Sequence, residues 1–302
     1  MNINELNTRF GAPGRIVFKE GHAGYPNVVI ANKYGSAEIS LLGANVLSYR
    51  PTGLGETIFR PAKRDYNRGE SFHGGIPVCW PQFGNRFSKE LPQHGFARIL
   101  PFTVKGTEYS EDMTEVTLAL KSDAETKKIW PHDFELEFKV SVSMKLNLKL
   151  VTKNTGSGPF DFSCGFHPYF LVRNRDDVTV KGLEDRTAFD GERGCDELFP
   201  GELKVTRALD HIFQLDPKPK HEFAVLDDGL RRATAMVSSG NDVIVVWNCG
   251  EAVMKDFQPD DWKKYVCVEP VSDWPGGRTL AAGGTYALTA AIQCTLDEGG
   301  AK

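Results

Sequence analysis

The chain lacks most of the features that would sort it quickly. Its six cysteines (Cys79, Cys164, Cys195, Cys249, Cys267, Cys294) include no CxxC pair, which argues against a disulfide framework and for reduced, mostly buried thiols. No stretch approaches the roughly 18 continuous apolar residues of a membrane span. The N-terminus, Met1-Asn-Ile-Asn-Glu-Leu-Asn-Thr-Arg-Phe10, has no apolar signal-peptide core, so a cytoplasmic location is expected. Neither sign of charge dominates: a net charge of −4 and a pI near 6.0 give no general attraction to nucleic acid or anionic membrane, and neither is expected as a partner. Repeats, low-complexity tracts and long linkers are missing, and Gly156-Ser-Gly-Pro159 is short enough to be a turn. Residues 1–302 therefore read as a single domain, and a monomer is expected. With 40% hydrophobic and 25% charged residues, the chain can bury a substantial core.

Amphipathic helix is almost absent; Ser122 to Ile129 and the stretch around Ala252 to Lys264 each suggest a turn or two. What is present is alternation. Residues 134–151, Phe-Glu-Leu-Glu-Phe-Lys-Val-Ser-Val-Ser-Met-Lys-Leu-Asn-Leu-Lys-Leu-Val, follow the period-two pattern of a half-buried strand. One strand of that length would run about 60 Å at roughly 3.4 Å per residue, so a hairpin is expected near Ser143 to Lys145. Weaker strand signals lie at 15–19, 27–31, 36–42, 102–108, 113–121, 178–181, 233–238, 242–247, 264–269 and 285–295. Many short strands between Gly, Pro, Asn and Asp signals predict an all-β fold, a large antiparallel β-sandwich.

Two ionisable residues stand directly before prolines in apolar segments: His167 in Ser163-Cys-Gly-Phe-His-Pro-Tyr-Phe170 and Glu269 in Tyr265-Val-Cys-Val-Glu-Pro270. Proline disfavours helical backbone for the residue before it, so both are expected in extended chain. An imidazole and a carboxylate in apolar surroundings can move two protons. A loop-rich block from His73 to Arg98 adds donors (Gln82, Arg86, Gln93, His94, Arg98) beside Trp80, Phe83 and Phe96. Polar forks next to aromatic faces suit a sugar, although the same composition describes a solvated Pro/Gly-rich crossover.

That block, together with Phe166-His-Pro-Tyr-Phe170 and Val268-Glu-Pro270, resembles the aldose 1-epimerase superfamily, and within it the hexose-6-phosphate mutarotases. The similarity extends to Leu42-Gly-Ala-Asn-Val-Leu-Ser-Tyr-Arg-Pro51, Leu91-Pro-Gln-His-Gly-Phe-Ala-Arg98, Trp247-Asn248 and Asp256-Phe257. The resemblance implies the galactose mutarotase-like supersandwich, no cofactor, and a hexose or hexose 6-phosphate as substrate. It further implies Glu269 as the base at the C1 hydroxyl and His167 as the acid at the ring oxygen. Gln93, His94 and Arg98 become substrate contacts, with Arg98 facing the phosphate, and Asp190 (or Asp185) the aspartate that accepts sugar hydroxyls. With reference pKa values of about 4.3 and 6.5, neither catalytic group is expected to need a strongly shifted environment. One departure bears on substrate: sugar-phosphate members typically carry arginine before Gly-Gly-Ile-Pro, where this chain has His73. Arg64, Arg68, Arg86 or Lys89 are candidates to compensate.

Other readings of the same residues are available. His167 could be a core histidine satisfied by backbone, and Glu269 a strand-end carboxylate paired with Lys263 or Lys264. The cleft could serve a catalytically silent carbohydrate-binding protein, or Asp190 and Glu269 could form a glycoside hydrolase pair. Cys164 lies three residues before His167, and Cys267 shares a strand face with Glu269, so these four could approach a zinc ligand set. Trp274, before Pro-Gly-Gly, could rim a sugar site.

Overall fold

The alternating segment 134–151 folds as a hairpin. Strands Phe134–Val142 and Leu146–Asn154 pair antiparallel from Phe134↔Asn154 to Val142↔Leu146 and turn at Ser143 to Lys145. Phe134, Leu136, Phe138, Val140, Leu146, Leu148 and Leu150 are all buried, and each such side chain contributes about 1.5–3 kcal/mol on leaving water. The computed structural model describes residues 2–61, 69–70, 72–85, 88–252, 254–272 and 276–296.

This hairpin lies inside a nine-stranded sheet ordered Leu203–Lys204, Val178–Lys181, His221–Asp227, Arg232–Ser239, Thr285–Leu296, Leu146–Asn154, Phe134–Val142, Thr114–Lys121 and Thr103–Tyr109. An eight-stranded sheet runs Cys195–Phe199, Arg186–Asp190, Leu209–Gln214, Val243–Asn248, Tyr265–Ser272, Cys164–Phe166 and Val78–Cys79, with Tyr169–Leu171 also paired to Tyr265–Ser272. A four-stranded sheet (Ile16–Glu20, Pro26–Asn32, Gly35–Ser40, Val46–Pro51) and a small pair (Phe160–Phe162, Arg278–Leu280) complete it. One continuous apolar cluster joins the sheets, with Phe138 and Leu148 from the nine-stranded sheet, Val246 and Val268 from the eight-stranded sheet, and Ile30 and Ile39 from the four-stranded one. The all-β antiparallel sandwich expected from the pattern is the fold observed.

Each of the ten weaker strand signals coincides with a strand to within two or three residues at its ends. The helix expected from Ser122 forms at Ala124–Ile129, capped by Asp123 and Thr126 in a reciprocal box. Around Ala252 to Lys264 the described helical structure is one 3₁₀ turn, Asp261–Lys264. A helix at Ile3–Phe10, capped by Asn2, and several strands, among them Leu209–Gln214 and His221–Asp227, were not anticipated.

Candidate active site

Strand register decides which side chains meet. In the eight-stranded sheet, Asp210 pairs with Trp247, Ile212 and Glu269 with Val245, and Tyr169 and Trp247 with Cys267. Side chains at paired positions share a face and alternate along each strand. Asp210, Ile212, Val245, Trp247, Cys267, Glu269 and Tyr169 therefore project to one side, while Ile244, Val246, Val266 and Val268 enter the core. On the first side lies a cleft of about 410 Å³, lined by His73, Phe83, Gln93, His94, Arg98, His167, Tyr169, Asp210, Trp247 and Glu269 among others.

His167 and Glu269 meet at its floor. The His167 Nε2 is 3.4 Å from Glu269 Oε2, and the residues are 7% and 1% exposed. His167 occupies the break between strands Cys164–Phe166 and Tyr169–Leu171, where its backbone N–H donates to Pro77 O. Its ring stacks on Tyr169 at 4.8 Å and meets Trp247 edge-on at 5.6 Å. Neither His167 Nδ1 nor Glu269 Oε2 has a hydrogen-bond partner in the protein. Buried polar atoms are normally satisfied, so two such atoms side by side make the floor of the cleft a candidate site. Lys263 and Lys264 pair instead with Asp260 and Asp261, which disposes of the lysine-paired carboxylate.

The electrostatics depart from the sequence expectation. Burial pushes the Glu269 carboxyl well above the usual carboxylate range, helped by the neighbouring Asp210 charge. Burial also pulls the His167 imidazole down to about 3, with Arg98 and His73 adding to the effect. Both groups are driven toward their neutral forms, because desolvation penalises either charge. The expectation that neither needs a shifted environment is corrected by their depth.

The loop between Trp80 and Arg98 supplies the upper wall. Gln82 staples it, its side-chain amide donating to Leu91 O and Pro92 O while Ser88 N–H donates to its Oε1; Gln82 is thus structural. His94 takes a left-handed backbone (φ 60°), an uncommon conformation for a non-glycine residue. Gly84 N–H donates to His94 Nδ1 at 3.2 Å, leaving Nε2 as the ring's donor. Gly95 follows at φ 72°, where a Cβ would sit 2.1 Å from Trp80 O. Arg98 anchors one Nη on Gln93 O at 2.8 Å and keeps a buried Nε without a partner. At the opposite rim, Asp256 grips His73 twice: its carboxylate accepts the backbone N–H at 2.8 Å and contacts Nδ1 at 2.7 Å.

The resemblance drawn from the motifs is matched by comparison with known proteins. A sequence model of the family described as aldose 1-epimerase matches residues 26–293. The chain belongs to the aldose 1-epimerase family. Within this family, it is 33% identical over 249 residues to an Escherichia coli (strain K12) protein named "Putative glucose-6-phosphate 1-epimerase", spanning 80% of this chain and 81% of the relative. A plant relative of the same name from Cenchrus ciliaris is 29% identical, with 78% and 74% covered. Among solved structures, a "putative mutarotase" from Salmonella typhimurium superposes with a TM-score of 0.84 at 27% identity, covering 97% of this chain and 99% of that one. A galactose mutarotase-like protein from Clostridium acetobutylicum shares the fold at a TM-score of 0.75 and 19% identity, with 93% and 98% covered.

The structure brings His73, Gln93, His94, Arg98, His167 and Glu269 into one cleft. Asp190 is not there. It pairs in register with His211, the neighbour of Asp210, and so points to the face opposite the cleft. Its carboxylate accepts the Glu192 and Arg193 backbone N–H groups and the Arg193 side chain. Although burial opposes it, these hydrogen bonds hold the Asp190 carboxyl down to about 2. Asp185 is exposed and caps Gly201 N–H. Asp210, not among the residues expected from sequence, occupies the cleft instead; its strand, Leu209-Asp-His-Ile-Phe-Gln214, does not alternate and so carries no period-two signal. The separation of Asp190 from Glu269 by the sheet breaks the hydrolase pair. Lys89 is exposed and does not line the cleft; Arg64, Arg68, Arg86 and Trp274 lie outside the described residues. No helix among the described residues is long and apolar enough to cross a membrane.

Proposed function

We propose that the protein is a glucose-6-phosphate 1-epimerase, interconverting the α and β anomers through the open-chain aldehyde, with Glu269 and His167 as the proton-transferring pair. The observation that carries this is the 3.4 Å contact of a buried imidazole with a buried carboxyl at the floor of a sugar-sized cleft. The two oxygens on an anomeric carbon are ~2.3 Å apart, so neighbouring donors and acceptors with a reach of about 2.6–3.2 Å can serve both at once.

Opening begins with the ion-pair form. Glu269 takes the proton from O1, the O1 lone pair forms the C1 carbonyl, the C1–O5 bond breaks, and His167 gives its proton to O5. The couple is then carboxylic acid plus neutral imidazole. Rotation about C1–C2 presents the other carbonyl face; O5 attacks C1, its proton returns to His167, and Glu269 protonates O1. The neutral couple is thus the form that faces the aldehyde, and burial of both groups favours it. A pocket complementary to the high-energy species is what lowers a barrier. Only protons move, so no cofactor is needed.

The sugar lies against Tyr169, Trp247 and Phe83, with Asp210, Gln93 and His94 as hydroxyl partners. Arg98 and His73 face the 6-phosphate. A guanidinium suits a phosphate ester well, and Asp256 on Nδ1 fixes the orientation of the His73 ring. A cytoplasmic location, supported by six free thiols, and a monomeric state belong to the same proposal. The test is the decay of optical rotation of fresh α-glucose 6-phosphate, α-glucose and α-galactose. Acceleration greatest for the phosphate ester supports the proposal. Sugar binding without acceleration returns the carbohydrate-binding reading, and nitrophenol release from a nitrophenyl glycoside would replace it with hydrolysis.

A further inference from the structure

Beneath the proton-transferring pair lies a third donor. The ligand atoms of His167, Cys267 and Glu269 all fall within 4.8 Å of one another, and all three residues are buried. Cys267 precedes Glu269 by two residues on strand Tyr265–Ser272, so strand alternation points both to the cleft side. A buried nitrogen, sulfur and carboxylate oxygen make up a three-ligand zinc set with an open fourth position. The Glu269 Oε2, with no hydrogen-bond partner and 1% exposure, faces the imidazole within that set. Tetrahedral zinc with bonds of about 2.0–2.3 Å places its ligands about 3.5 Å apart, so the donors must close by roughly 1 Å.

We propose that His167, Cys267 and Glu269 form an inhibitory site for zinc or a similar divalent transition metal, with the fourth position open to the cleft. Binding forms one bond each from imidazole nitrogen, sulfur and carboxylate oxygen, and the thiol and carboxyl protons leave to solvent. Cys164, the other sequence candidate, is not in the set. The second cluster of similar composition, Asp190, Glu197 and His211, does not compete: its carboxylates are engaged by Arg193 and Arg207. The site is self-contained, but its inhibitory consequence rests on the mutarotase reading, since metal on these ligands removes the base and the acid together.

Cobalt(II) titration tests the site without any assay of turnover. The expected result is one saturable equivalent with a thiolate-to-cobalt charge-transfer band, lost in Cys267→Ala and in Cys267→Ser. Cobalt affinity should also fall at least ~10-fold in His167→Ala. In the rotation assay, zinc should inhibit competitively with sugar and reversibly by chelator. Each cysteine variant, measured against its own metal-free rate, should need at least ~10-fold more zinc for half-inhibition. A band that persists without Cys267, or cobalt binding with no thiolate band, overturns the proposal. The band without any catalysed anomerisation would leave the metal site standing and remove the mutarotase reading.

Discussion

Glu269→Gln separates catalysis from stability at one position. The side chain is 1% exposed and faces His167 across 3.4 Å, and burial first, then Asp210, raises its carboxyl well above the usual range. A group with a raised folded-state pKa contributes stability that is fully present below its unfolded value of about 4.3 and is lost as pH rises toward the folded value. Each pH unit in that window removes at most about 1.4 kcal/mol, the limit for one proton. Glutamine has nearly the same shape and no charge to lose. The variant should differ least from the wild type near pH 4 and become progressively more stable relative to it as pH rises, while anomerisation falls by about 100-fold to 10,000-fold. Chemical denaturation of both proteins at pH 5, 6 and 7, with rotation decay on the same samples, reads both effects. A stability difference that does not change with pH would refute the desolvation argument, and near-wild-type turnover would remove Glu269 from its role.

Three further outcomes follow from the geometry. Stability should fall as pH drops from about 6.5 toward 3, because buried His167 (about 3) and His94 (well below its ordinary value) take up protons only on unfolding. The slope should reach up to about 1.4 kcal/mol per unit for each, and denaturation of His167→Phe should show a shallower one. Asp210→Asn removes a charge that raises the Glu269 carboxyl, so the acidic limb of the kcat/KM profile should move to lower pH; an unmoved limb breaks that coupling. Replacing His73 by arginine should tighten glucose 6-phosphate relative to glucose by about 10-fold, and Asp256→Asn should raise KM for the phosphate ester alone. Ratios unchanged in both variants would show that this rim does not face the phosphate.

The strand pattern and the site pair were legible because each depends on local sequence. Period-two alternation follows from the pleat, and it located the hairpin at Ser143 to Lys145 and the strands that carry Val245 and Glu269. Short or buried strands such as Cys164–Phe166 and Tyr169–Leu171, three residues each, offer too few positions for a period to register. Loop motifs identified His73, Gln93, His94 and Arg98 as a group because glycine and proline spacing marks a constrained path.

Asp190 and Asp210 show the limit. Both are aspartates on strands of the same sheet, and sequence offers no reason to prefer the second. Which face each occupies depends on the pairing of Arg186–Asp190 with Leu209–Gln214, a register set by contacts between residues more than twenty positions apart, and a shift of one residue between these strands would put both aspartates on the same face. The same holds for the charge states of His167 and Glu269: their identities are written in the chain, but their neutrality comes from burial that only the packed sheets provide. Local pattern and residue type determined the fold class and the chemical types at the cleft; tertiary packing chose the faces, the 3.4 Å contact and the dielectric around it.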